Sequence, residues 1–195
     1  MDPSRLSNLV RVDAQSTRAR STITSAAGGG NGSYVEFTLC VLTDRDRHLL
    51  KLANRNVSIG KWNFLGGKIE PGERIVQGMR REVFEESKGL IVESELYHGW
   101  IDCHDGNGSP SRKVHIFSSD SFRGSAMLGD SDEGRLDWFH KEALPVERMW
   151  KDVGIWLPQV YEKKRFEITI RYSSREKDKI EEAIVKTMKR SVSKS

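Results

Sequence analysis

Glu82, Glu85 and Glu86 stand at i, i+3 and i+4 in Arg80-Arg81-Glu82-Val83-Phe84-Glu85-Glu86, so a helix through this stretch carries three carboxylates on one face. Like charges at that spacing cost a few tenths of a kcal/mol per pair unless a cation lies between them. A hard divalent cation such as Mg²⁺ or Mn²⁺, which takes oxygen ligands and keeps several waters, resolves the repulsion. The plainer alternative is a solvated acidic face. The preceding loop favours the metal: Gly66-Gly67 lets backbone approach an anionic ligand or turn a carbonyl toward a cation, and Pro71-Gly72 makes a tight turn just before the helix. One loop and one helix thereby bring metal, phosphate and water together, which is what phosphoanhydride hydrolysis requires.

The elements that must position these groups are legible from period. A helix is predicted from Glu73 to about Lys88, because Ile75, Met79 and Val83 repeat at i, i+4 and i+8 opposite the acids, with Val76 widening the stripe and Gly89 available as the C-terminal cap. Residues 35–42 read as a mostly buried strand, Asp44-Arg45-Asp46-Arg47 as a turn and residues 48–53 as the hairpin partner. Further strands are predicted at 97–103, 113–118 and 136–140, and a second helix at 154–164. Residues 165–172 alternate Phe166, Ile168, Ile170 and Tyr172 on one face. Strands and helices interleave, so the class is α/β or α+β with a mixed sheet.

The ends differ from this body. Residues 1–33, rich in Ser, Thr, Arg, Ala and Gly, cannot bury enough apolar area to offset their ordering entropy and read as a disordered leader, with a mitochondrial transit peptide as the alternative. Residues 173–195 read as a charged tail that could form a surface helix, which leaves 34–172 as the single domain. The formal charge of +4 also sits at the ends: 1–33 carry +2 and 173–195 carry +3, leaving about −1 between them. A near-neutral body provides no electrostatic footprint for stable duplex nucleic acid. No apolar run is long enough to span a membrane. Cys40 and Cys103 both lie in apolar stretches and read as buried reduced thiols in a cytoplasmic setting, with a mitochondrial or nuclear pool as the other settings.

The segment from Gly67 through Glu73 to Arg81, Glu82, Glu85 and Glu86 resembles the Nudix box, in which a Gly is followed after five residues by Glu and after seven more by Arg-Glu-apolar-x-Glu-Glu-x-Gly. Lys88 stands where the box expects Gly, and Gly89 follows. The resemblance implies an α/β/α sandwich around a mixed sheet, and hydrolysis of a nucleoside diphosphate linked to another group with Mg²⁺ or Mn²⁺. It implies Glu82 and Glu86 as principal metal ligands, Glu85 direct or through water, and the Gly66 carbonyl completing the set. Arg81 would pair with Glu73 and hold the loop on the helix, direct phosphate contact being its other reading. Glu86 or Glu133 would be the general base, Glu133 because Ser131-Asp132-Glu133-Gly134-Arg135 resembles the segment from which many members supply a further acid to the metal.

Outside the box, Gly60-Lys61-Trp62-Asn63, Met149-Trp150-Lys151-Asp152 and Trp156-Leu157-Pro158 are similar to the MutT homologues that act as 8-oxo-dGTP diphosphatases. That likeness implies a small-molecule nucleotide substrate, in a monomer or homodimer, with the oxidised purine held by Asn63, Trp150 and Asp152. Trp150 would supply a stacking face and Asp152 an acceptor, or a donor where burial raises its pKa. A core Trp, a helix-capping Asp and a loop Asn turn are the alternatives on spacing alone. Vertebrate members carry a second Asp where this chain has Val153, and an aromatic over the base where it has Val57. The rival activities share the box and act on ADP-ribose, dinucleoside polyphosphates or an RNA cap.

Overall fold

Alternation along the first two strands of the body divides the core in two. Val41 packs on one face of the sheet and its neighbours Cys40 and Leu42 on the other, and Leu50 and Leu49 divide in the same way. The computed structural model describes residues 10–12, 35–54, 58–105, 110–131, 134–173 and 179–188. In chain order the elements are β1 (Val10–Val12), β2 (Val35–Asp44), β3 (Arg47–Leu52), β4 (Trp62–Phe64), α1 (Ile75–Ser87), β5 (Ile91–His104) and β6 (Pro110–Arg123). β7 (Gly129–Ser131), β8 (Gly134–His140), α2 (Val153–Tyr161), β9 (Arg165–Tyr172) and β10 (Ile180–Met188) follow.

The strands run in the order β1-β10-β9-β5-β6-β2-β3-β8-β7, with β4 on β3. β2 pairs parallel with β6, β5 with β9 and β1 with β10, and the remaining pairs are antiparallel, so the sheet is mixed. Met79 and Val83 of α1 are buried with Leu42, Leu49 and Phe117 on one face; Val153, Trp156, Leu157 and Val160 of α2 are buried with Phe64, Ile101 and Phe166 on the other. One helix on each face of the sheet makes the expected α/β/α sandwich. Each of these large side chains contributes roughly 1.5–3 kcal/mol by leaving water.

Four expectations change. The charged C-terminal segment is no helix: residues 180–188 form β10, antiparallel to β9 from Ile180 opposite Tyr172 to Met188 opposite Arg165. Ala183 and Val185 alternate into the core, and an irregularity between Ile180 and Glu182 hides that period from the sequence. β1 then pairs parallel with β10, so the sheet reaches into the segment expected to be a disordered leader; the rest of residues 1–33 lies outside the described residues. At the end of α1 the left-handed cap is Lys88, at φ 60°, and not Gly89. β5 and β6 also run longer than predicted, because register irregularities near Val92, Ser94 and Tyr97 break the alternation.

Candidate active site

The glycine loop is held straight against β2. Thr38 N–H donates to Gly67 O at 2.8 Å, Cys40 N–H to Leu65 O at 2.8 Å and Ile69 N–H to Glu36 O at 3.0 Å, so residues 65–69 run beside β2 almost as a further strand. Gly66 has φ 149°, and a Cβ there would stand 2.1 Å from Thr38 O. No other residue fits so close to a neighbouring backbone. A Cβ at Gly67 would meet the Glu82 carboxylate at 2.4 Å, so this position is bare because a carboxylate lies over it.

Arg81 ties loop and helix together. Its Nε and Nη2 donate to both oxygens of Glu73 at 3.0 Å each, Nη2 also donates to Lys68 O at 3.0 Å, and Nη1 reaches Glu82 Oε1 at 2.9 Å and Glu85 Oε2 at 3.1 Å. The bidentate pair holds Glu73 below the usual carboxylate range and raises Arg81 further above its own. Arg81 does not line the pocket; its contacts are with Glu73, Glu82, Glu85 and the Lys68 carbonyl.

Glu86 is the group the sequence placed least well. The expectation sets it opposite the apolar stripe, yet at about 3.6 residues per turn Glu86, seven residues after Met79, falls on the stripe itself, and it is only 5% exposed. Its Oε1 takes an ion pair with Lys51 Nζ of β3, and its Oε2 accepts the Gly66 N–H at 2.9 Å. Burial pushes its carboxyl up to about 7, against the opposing pull of Lys51. Burial raises Glu82 as well, while Arg81 pulls it down. Glu85 leaves this group: its side chain is 55% exposed and stands outside the pocket lining.

Glu82 and Glu86, with Gly66, Gly67 and Lys51, form one end of a pocket of about 780 Å³. Among the described residues no three carboxylate, imidazole or thiol side chains close on one point. The donors nevertheless suit a hard cation. Two neighbouring carboxylates each bind a proton more readily than usual because both charges sit in a poorly solvated wall, and a divalent ion relieves that cost. Glu133 lies outside the described residues.

The other end of the pocket is built from separate elements. Asn63 on β4 accepts the Phe64 N–H at 2.9 Å through Oδ1 and lines the pocket. Trp150 lines it from the turn before α2, its ring approached by Lys61 Nζ at 5.0 Å and by Arg112 Cζ at 5.9 Å from the centroid. Asp152 sits at the N-cap of α2 but makes no side-chain cap; it receives the Tyr172 hydroxyl of β9 instead. Burial and the Asp152 carboxylate both raise the Tyr172 phenol, and together push the Cys103 thiol up to about 12. Val153, where an additional acid would stand, is buried in the same wall.

The pocket thus unites Gly66, Glu82, Glu86, Asn63, Trp150 and Asp152, and leaves Glu85 and Arg81 outside its lining. Sequence reading missed Lys51, Thr38, Arg112, Trp156, Cys103 and Tyr172, which also line it. Lys51 carried a signal: a lysine at the pitch of Leu49 inside an apolar strand needs an anionic partner. Tyr172 read as core because it ends an apolar alternation, and Arg112 fell just outside the strand predicted at 113–118.

The NUDIX domain family model matches residues 35–160. The oxidized purine nucleoside triphosphate hydrolase of Danio rerio is 39% identical over 129 residues, 66% of this chain and 81% of the relative. The enzyme of the same name from Mus musculus is 36% identical over 130 residues, 67% of this chain and 81% of the relative. Among solved structures, a MutT protein from Bacillus halodurans superposes with a TM-score of 0.65 at 24% identity, covering 77% of this chain and 97% of that one. A MutT NUDIX hydrolase from Burkholderia pseudomallei gives 0.58, also at 24%, over 66% and 98%.

Proposed function

This chain belongs to the NUDIX family, and from that premise we propose that it hydrolyses oxidised purine nucleoside triphosphates, 8-oxo-dGTP foremost, to the monophosphate and pyrophosphate. Members of the family generally need a divalent cation; for this chain we assign Mg²⁺ or Mn²⁺. The observation that carries the reading is that one pocket is lined both by the acidic pair Glu82 and Glu86 and by Asn63, Trp150 and Asp152. The relatives named for oxidised purine triphosphates support the substrate class.

Glu82 and Glu86 are the residues that would hold the cation, with the Gly66 carbonyl as the third candidate and Glu85 acting through water from the rim. When bound, a divalent cation neutralises phosphate oxygens and acidifies the attacking water. The chain's own residues do the rest. Arg81, clamped on Glu73, fixes the loop on the helix so that Gly67 and the Glu82 carboxylate stay in contact. Lys51 offsets part of the negative charge that Glu86 brings into the wall. Glu86 is the proposed proton acceptor as water attacks phosphorus, a carboxylate set in the pocket wall beside Glu82. Glu133, just ahead of β8, is the other candidate base and a further ligand.

At the far end the indole of Trp150 offers a stacking face, and Asn63 and Asp152 offer hydrogen bonds to the purine edge. Pyrophosphate release from 8-oxo-dGTP, dGTP, ADP-ribose and a dinucleoside polyphosphate, with and without Mg²⁺, tests the reading. The expected result is cation-dependent turnover with 8-oxo-dGTP first. Equal kcat/KM for 8-oxo-dGTP and dGTP, with ADP-ribose or the dinucleotide faster than either, would overturn it.

A further inference from the structure

Arg112 lies in the base end of the pocket, where a stacked purine has no phosphate for it to neutralise. The register explains its place. On β6, Arg112 and Val114 point to one face; Arg112 lies opposite Cys103 of β5 and Val35 of β2, and Val114 lies opposite Phe37. Arg112, Val114, Cys103 and Phe37 all line the pocket. Its guanidinium carbon stands 5.9 Å from the centre of the Trp150 ring, the face assigned to the base. Arg112 and Asp152, with opposite charge, both act on the Cys103 thiol and the Tyr172 hydroxyl, which puts them around the same pair of side chains. Asp105 holds the guanidinium only at 3.7 Å, through a carboxylate half in solvent, so the fork keeps donors for a ligand.

We propose that Arg112 is a specificity-determining residue, whose guanidinium donates to the 6-carbonyl of a bound purine while Asp152 accepts the adjacent ring N–H, so that 6-oxopurines are selected over 6-aminopurines. This rests on the reading of the pocket given above. An arginine has donors only and an ionised aspartate acceptors only. A 6-oxopurine presents the complement, a carbonyl beside N1–H. A 6-aminopurine presents the reverse, an amino donor toward Arg112 and a bare N1 toward Asp152, so both bonds are lost and each group is left facing its like.

The test compares dITP with dATP, which differ only at that edge, and 8-oxo-dGTP with 8-oxo-dATP, in the wild type, Arg112→Met and Arg112→Lys. Arg112→Met should lower kcat/KM for dITP and 8-oxo-dGTP by about 5- to 100-fold, chiefly through KM, and leave dATP and 8-oxo-dATP unchanged or better. Arg112→Lys, which keeps the charge without the fork, should fall between. Binding of dIMP and dAMP, followed by Trp fluorescence, should show the same reversal without catalysis. Equal losses on oxo and amino purines would mean a structural or phosphate role and overturn the inference while leaving the sanitising reading intact. A wild type that prefers ADP-ribose overturns both. If Arg112→Met does not fold, an unchanged dITP to dATP ratio in Arg112→Lys is sufficient to reject the proposal.

Discussion

The two ends of the pocket are made differently. The acidic end comes almost entirely from one stretch, Leu65 to Glu86, in which a loop lies on β2 through three backbone hydrogen bonds and α1 is tied back by Arg81 on Glu73. The proposed base end draws Asn63 from β4, Cys103 from β5, Arg112 from β6, Trp150 and Asp152 from the turn leading into α2, and Tyr172 from β9. At the acidic end each charged group is already engaged within the wall, whereas at the base end polar groups meet only because distant strands align. Chemistry common to a family can be held by local sequence, and selectivity can change by substitution in any of several elements without disturbing it. Lys51 is the exception at the acidic end, a counterion delivered to Glu86 from another strand.

Breaking the acidic end should give the largest effect. Glu86→Gln is expected to lower kcat by about 10²-fold or more on every substrate, since it would remove the proposed ligand or base and leave Asn63, Trp150 and Asp152 untouched. The measurement is steady-state pyrophosphate release at saturating Mg²⁺. A normal rate would place the chemistry elsewhere.

Asp152→Ala should sharpen the contrast. The loss of one hydrogen-bond partner is worth about 1–3 kcal/mol, so kcat/KM for 8-oxo-dGTP should fall roughly 5- to 150-fold, while a 6-aminopurine such as dATP, which has no N1–H to offer Asp152, loses much less. Equal losses on both would show that the two ends are not separable.

The same contrast has a signature in stability. Glu86 is raised from 4.5 to about 7 in the folded protein, so its contribution to stability is fully present below about 4.5 and is lost as pH rises through about 7. In metal-free buffer, Glu86→Gln should therefore melt a few degrees above the wild type at pH 8, and the gain should vanish toward pH 5, by scanning calorimetry. His48 runs the other way. Burial lowers its pKa, so its contribution is complete above its ordinary value of 6.5 and falls away as pH drops below it. Replacing His48 should flatten the acid side of the stability profile and leave the alkaline side unchanged.

The smallest effect is expected far from both ends. Deleting residues 1–33 removes β1 from the edge of β10. Among the described residues the deletion removes only the three pairs of β1 with β10, so the melting temperature should fall slightly and kcat/KM should stay the same. A large fall in activity would connect that edge to the pocket.

Much of the acidic end was readable from one dimension because its parts are neighbours in sequence. The spacing of Gly67, Glu73, Arg81, Glu82 and Glu86 is the geometry of a loop running into a helix, and the stripe Ile75, Met79, Val83 fixes which way that helix turns. The three acids do not share one face: the helical period puts Glu86, seven residues after Met79, on the buried stripe and leaves Glu85 off it. What the period could not give is Lys51, the counterion that another strand sets against Glu86.

Period and residue type determined the mixed α/β class, the helix carrying the acids, the alternation of β9 and the lack of a charged body suited to duplex nucleic acid. Tertiary structure alone decided the remainder. The charged segment 180–188 became a strand because β9 offered an unpaired edge, and strand pairing can outweigh local charge and helix propensity. Lys51, Arg112 and Tyr172 entered the pocket because strand register carried them there. Register is a relation between segments far apart in the chain, set by the packing of whole faces, and no single window of sequence contains it.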